Sequence, residues 1–251
     1  YKAPRKGGGY VGGPAYYIGN VLGSPFFAWL FAVLLAVTYG LIFNSVQSNT
    51  IALSLKTSLS ADPRYTGLAI AVLTALVIFG GLTRIAKVVG MLVPVMAGAY
   101  LLVALIVTIM NITLVPDVLK LIVTSAFSFD SAMGAGFGLA VMTGVKRGLF
   151  SNEAGMGSVP NAAASADATH PVKQGLVQAL GVFVDTLMVC TASAMIVLLS
   201  PDWQGSGLTG IELAQHALTG QLGSWTNIFM TVMILFFAFS SIIGNYFYGE
   251  V

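Results

Sequence analysis

Residues 147–166 read R-G-L-F-S-N-E-A-G-M-G-S-V-P-N-A-A-A-S-A, from Arg147 to Ala166, in a chain that is otherwise mostly apolar spans. His170-Pro171-Val172-Lys173-Gln174-Gly175-Leu176 follows, and then a long apolar run. Hydrocarbon offers no partner to backbone N–H and C=O groups, so irregular backbone is tolerated at membrane depth only against protein or a water-filled cavity. The tract is therefore a loop at the membrane surface or a broken helix lining a solute path. Many secondary transporters build their sites from such breaks.

The sequence around it supports the membrane premise. Of 251 residues, 57% are hydrophobic and only 8% charged, where soluble domains carry about 25% charged residues. Mean hydropathy is +0.88. A net charge of +2, with no basic run interleaved with aromatics, argues against a nucleic-acid partner and leaves lipid as the surrounding medium. Cys190 is the only cysteine, so no intrachain disulfide can form. The first residue is not Met, and the last four, Tyr248-Gly249-Glu250-Val251, stand at the edge of an apolar span. The expectation is an internal fragment forming a single transmembrane domain.

Six spans are predicted: 26–55, 67–83, 88–110, 131–145 (continuing as a broken or loop segment to 166), 175–199 and 225–248. Most hold the ~20 apolar residues that cross ~30 Å of hydrocarbon. Two shorter pieces, Pro116–Phe127 and Thr209–Thr219, have the apolar spacing of surface helices. With the spans alternating sides, Lys2, Arg5, Lys6, Arg84, Lys87, Lys146, Arg147 and Lys173 share one side, and Lys56, Arg64 and Lys120 the other. The richer side is expected to be cytoplasmic, which puts the N-terminal end of the chain inside.

Several polar residues within the spans are candidate ligands. Asn44, Gln47 and Ser48 recur at i, i+3, i+4 and share a helix face. Amides facing lipid are costly, so that face points inward, either to bind a zwitterionic ligand or to bond another helix. Gly134-Ala135-Gly136-Phe137-Gly138 could break the fourth span or pack it closely, and Phe150-Ser151-Asn152-Glu153 could be the break instead. Asp185 is an ionisable group near the centre of the fifth span, functional or a buried acceptor. Ser240 and Ser241, with Gly244 and Asn245 a turn on, could offer hard oxygens to a small cation or bond back to their own helix. Enzyme constellations are absent: the sequence holds no H-E-x-x-H, G-x-S-x-G, P-loop or cysteine cluster, so no catalytic residues and no cofactor are expected.

The stretches Gly148–Ser158, His170-Pro171, Val182–Thr186 and Cys190-Thr191 resemble the alanine or glycine:cation symporter family. So do Gly12-Gly13-Pro14 with Tyr16-Tyr17, Asn44–Ile51, Asn111–Pro116 and Phe239–Glu250, so that the resemblance spans nearly the whole chain. It implies an all-α integral membrane protein with the leucine-transporter-type inverted-repeat fold, covering core helices three to eight, in a prokaryotic cytoplasmic membrane. It implies sodium-coupled symport of small neutral amino acids, alanine or glycine, by alternating access. A proton-coupled or uncoupled amino-acid facilitator or channel is the alternative. On this resemblance Gln47 and Asn245 would line the substrate site, and Ser240 and Ser241 would hold sodium; Asn44, Gly134, Phe137 and Phe150 join the expected substrate site from the residue reading above, and Asp185 is an intramembrane acid without an assigned role.

Overall fold

A computed structural model describes residues 2–4, 9–79, 82–126, 135–153 and 155–250, with the side chains of 82–88, 126, 135–141 and 249–250 outside the description. A short hairpin opens the chain: β1 (Lys2–Pro4) pairs antiparallel with β2 (Tyr10–Gly12), Ala3 opposite Val11. The other described elements are helical. They are α1 (Pro14–Asn20), α2 (Pro25–Val37), α3 (Asn44–Leu59), α4 (Pro63–Ile78), α5 (Leu82–Met110), α6 (Val115–Ala126), α7 (Ala135–Asn152) and α8 (Ser158–Ser165). Then come α9 (Pro171–Phe183), α10 (Thr191–Leu198), α11 (Gly210–Leu222) and α12 (Trp225–Glu250). A π turn, Thr38–Phe43, joins α2 to α3, and a second, Val184–Cys190, joins α9 to α10.

Proline starts four of these helices. Pro14, Pro25, Pro63 and Pro171 lie in the first turns of α1, α2, α4 and α9, where the missing N–H costs nothing and φ is already helical. Asp62 caps α4 by accepting from the Arg64 N–H at 2.8 Å, and His170 Nδ1 caps α9 by accepting from the Val172 N–H at 3.2 Å.

Among the described residues, four helical runs are long and apolar enough to cross a membrane: Pro25–Leu59, Val89–Met110, Pro171–Leu198 and Trp225–Tyr248. The first, at 35 residues, is about 50 Å long at 1.5 Å per residue and exceeds the hydrocarbon thickness. Helix α4 is apolar but shorter. Large apolar side chains such as Phe26, Trp29, Leu41, Leu102 and Leu180 face outward, as they do where lipid or further protein is the solvent.

α12 is the central element. It packs most extensively on α3 and also touches α4, α5 and α11. Ile51, Ile70, Ala238 and Ile242 fill the seam between α3, α4 and α12. A second core gathers Tyr100, Val107, Val118, Ile196, Leu218 and Met230 from α5, α6, α10, α11 and α12. The Thr209–Thr219 piece departs from the surface helix that its spacing suggests. Gln215, Ala217 and Leu218 of α11 are at most 1% exposed, because the helix lies across the ends of α3 and α12 rather than on a bilayer.

Candidate functional site

α3 and α12 run antiparallel, and the seam between them carries three levels of polar residues. At one end Asn245, 3% exposed, donates from Nδ2 to Asn44 Oδ1 at 2.8 Å. Asn44 in turn donates to the Gly40 carbonyl at 3.2 Å. Asn44 opens α3 directly after the first π turn, so the turn sets which way this amide points. Register then brings the level of Gln47 and Ser48, one turn along α3, opposite Ser241, one turn back along α12. Gln47 is half-buried and makes no side-chain hydrogen bond among the described residues. Ser240 and Ser241 both donate to the Phe237 carbonyl, at 2.9 and 3.0 Å. This is the back-bonding alternative, yet each hydroxyl oxygen keeps lone pairs that could face a cation. Asn44 and Ser48, with Ser45 and Asn49, also line an open depression of about 480 Å³.

At the other end of the seam lies a polar cluster that sequence reasoning missed. Gln215 Nε2 of α11 stands 3.0 Å from the hydroxyls of Ser54, Ser58 and Thr231. Ser54 donates to Thr231 at 3.2 Å, and Ser58 to Asn227 Oδ1 at 3.1 Å. Gln215 Oε1 is buried without a partner among the described residues. One amide thus ties α11 to both α3 and α12. The i, i+4 spacing of Ser54 with Ser58 and of Asn227 with Thr231 is the signal that could have found it.

The 147–166 tract sits beyond the Asn44 end. α7 stays helical from Ala135 through Asn152, and the break falls at 153–157, where Glu153, Gly155 and Gly157 have φ of 53°, 79° and 90°. Of the two candidate breaks, Phe150–Glu153 coincides with the end of α7, and the other begins at Gly134, with Ala135–Gly138 in the first turn of α7. Gly134 lies outside the described residues. Phe137 is on α7, with its side chain outside the description.

The last turn of α7 reaches both π turns. Phe150 stacks on Phe43 of the first, with centroids 4.9 Å apart and rings 18° from parallel. Phe43 stacks on Tyr39 at 4.9 Å, and Tyr39 meets Tyr248 of α12 edge-on at 5.1 Å. Ser151 donates to Asp185 Oδ2 of the second π turn at 2.8 Å, and Asn152 donates to Thr186 at 3.5 Å. Asp185 is thus a half-buried hydrogen-bond acceptor, without an ion-pair partner among the described residues. Phe150, Asn44 and Asn245 are brought to one region through Phe43, while Asp185 accepts from Ser151, the next residue of α7. π turns recur at functional sites because they re-aim side chains and free backbone groups.

Glycine holds the break against the N-terminal elements. A Cβ on Gly13 (φ 116°) would fall 1.6 Å from Asn161 Oδ1 of α8, so the Gly12-Gly13-Pro14 turn and α8 interlock without room for a side chain.

The model of the sodium:alanine symporter family matches residues 1–251. The chain is 49% identical over 242 residues to the probable sodium/glutamine symporter GlnT of Bacillus subtilis, covering 96% of this chain and 51% of that protein. It is 49% identical to the amino-acid carrier protein AlsT of Bacillus subtilis, covering 98% and 52%. It is 37% identical to the sodium/alanine symporter AgcS of Methanococcus maripaludis, covering 100% and 56%. The chain spans about half the length of these relatives. With a family match over its whole length and long apolar helices around a broken one, the chain belongs to the sodium:alanine symporter family.

Proposed function

We propose that this chain forms part of a sodium-coupled symporter that carries small neutral amino acids, alanine or glycine, across the cytoplasmic membrane by alternating access. The observation that carries the reading is the α3–α12 seam, where the Asn44–Asn245 amide pair lies one turn from the hydroxyls of Ser240 and Ser241. Amides suit the carboxylate and ammonium of a zwitterion, and hydroxyl oxygens suit a small hard cation. In this reading Asn44, Gln47, Asn245, Phe150 and the Gly134 and Phe137 region face substrate, and Ser240 and Ser241 face sodium. The leucine-transporter-type inverted repeat is the proposed fold, since a helix interrupted beside the seam is how that architecture exposes backbone groups to solutes. The N-terminal end is proposed to be cytoplasmic.

Coupling requires that sodium and amino acid raise each other's affinity by the same factor. The test is labelled alanine uptake by the complete protein in proteoliposomes, with and without an inward sodium gradient, beside Ser241→Ala and Gln47→Ala. Gradient-dependent accumulation is expected, with Ser241→Ala weakening the sodium dependence and Gln47→Ala the alanine affinity. Equilibration that ignores the gradient overturns the reading in favour of an uncoupled facilitator, and accumulation driven by a proton gradient alone favours proton coupling. A larger substrate is the second reading, favoured by the 49% identity to a probable sodium/glutamine symporter. Competition by glutamine against labelled alanine separates the two.

A further inference from the structure

Gln215 is 1% exposed, yet its amide is only half matched to its surroundings. Nε2 stands 3.0 Å from three hydroxyl oxygens, those of Ser54, Ser58 and Thr231. Each hydroxyl has an acceptor for its own proton elsewhere in the cluster. Ser54 donates to Thr231 at 3.2 Å, Ser58 to Asn227 Oδ1 at 3.1 Å, and Thr231, in contact with Ser58, to the Asn227 carbonyl at 2.9 Å. Lone pairs therefore converge on the amide, which places its nitrogen inward. An amide nitrogen carries two protons, so one of the three acceptors goes without. Oε1, at the other side of the amide, is buried with no partner among the described residues. The amide thus leaves one bond unmade on each side, and both omissions are costly in a buried site.

A primary ammonium carries three protons and no acceptor, so it would serve all three oxygens and strand nothing. The separations also suit nitrogen: 3.0 Å is the length of an N–H···O bond, whereas hard metal cations meet oxygen at about 2.0–2.6 Å. Ser54 and Thr231 are at most 5% exposed, so a positive charge beside them needs an acid nearby. Glu212, three residues before Gln215 on α11, is that acid. With His216 and Asn227 it lines a depression of about 220 Å³ that reaches Gln215. The depression offers room for the remainder of a small solute and a route to the hydroxyls.

We propose that the hydroxyls of Ser54, Ser58 and Thr231 form a binding site for the primary ammonium group of a small solute, amino acids included, and that the Gln215 amide is a tethered occupant which the solute displaces. The site lies at the α11 end of the seam, apart from Asn44, Asn245, Ser240 and Ser241. It does not depend on which solute or cation binds at those residues.

The test is thermal unfolding of the complete protein in detergent, titrated with methylammonium at constant sodium and ionic strength. Tetramethylammonium, which has no N–H, is the comparison cation. Methylammonium is expected to raise Tm saturably, at about tenfold lower concentration in Gln215→Ala than in wild type, because the hydrogen bonds of the amide no longer compete. Adding Thr231→Val to Gln215→Ala should abolish the rise. Gln215→Asn, which withdraws the amide by one methylene, gives the same comparison should the alanine variant not fold. A cluster that only fastens α11 predicts a lower Tm in Gln215→Ala and no recovery with amine. That result overturns the proposal, as does an equal response to tetramethylammonium or a response that survives Thr231→Val. No transport is needed for this readout, so its failure and that of the symport reading are distinguishable.

Discussion

Gly155 and Gly157 lie two residues apart in one motif, both at positive φ, yet their surroundings predict different penalties for the same substitution. A Cβ on Gly155 would meet nothing within 4 Å, whereas one on Gly157 would stand 2.5 Å from Phe31 Cζ and 2.9 Å from Pro14 Cγ. The left-handed backbone costs either alanine about 1–2 kcal/mol. Gly157→Ala adds overpacking of about 1–3 kcal/mol, because the Pro14 ring is fixed to its backbone and cannot swing aside. At about 2–4 °C per kcal/mol for a domain of this size, the extra term is about 2–12 °C in Tm. Thermal unfolding of the complete protein in detergent measures the difference directly. Equal losses for the two variants would refute the reasoning, since the conformational term alone would then suffice.

Further expectations follow from the seam and the break. Asn44→Ala, Asn245→Ala and the double variant form a cycle whose coupling energy should be about 0.6–1.7 kcal/mol, the range for interhelical bonds in membranes, and additive losses would show that the 2.8 Å bond contributes nothing. Thr231→Val removes a hydroxyl shared by Ser54 and Gln215. It should cost about 1 kcal/mol, read by chemical denaturation, and a stabilised variant would contradict the network. Burial pushes the Glu153 carboxyl above the usual carboxylate range, so it binds protons more tightly in the folded than in the unfolded state. Its contribution to stability is therefore full below the ordinary carboxylate pKa and is lost as pH rises through the raised one. Stability measured across that window should have a shallower pH slope in Glu153→Gln, and an unchanged slope would exclude the linkage.

The features legible in the residues alone are local. Hydropathy and length mark an all-helical membrane chain because every backbone group in hydrocarbon must be bonded within its own segment. Proline marks where α1, α2, α4 and α9 begin, since its fixed φ and missing N–H matter only to the first turn. Where the fourth span breaks was not legible, because the glycines of Gly134–Gly138 and those after Glu153 offer the same conformational freedom; the structure gives Gly155 and Gly157 positive φ. The short N-terminal hairpin has no comparable pattern in its few residues and was not legible.

Tertiary structure alone decided which side chains meet. Asn245 and Asn44 are 201 residues apart in the chain, and Gln215 reaches Ser54 across 161. Helical periodicity says that a face is polar but not what it opposes, so Gln215 read as part of a surface helix although it is 1% exposed. The π turns at Thr38–Phe43 and Val184–Cys190 leave no mark in composition, yet each shifts the helical phase by part of a turn. That shift aims Phe43 at Phe150 and Tyr39 at Met156, and Asp185 and Thr186 at Ser151 and Asn152. Phe150, Ser151 and Asn152, three consecutive residues at the end of α7, thus serve two separate turns, an arrangement set by packing among distant segments rather than by any local preference.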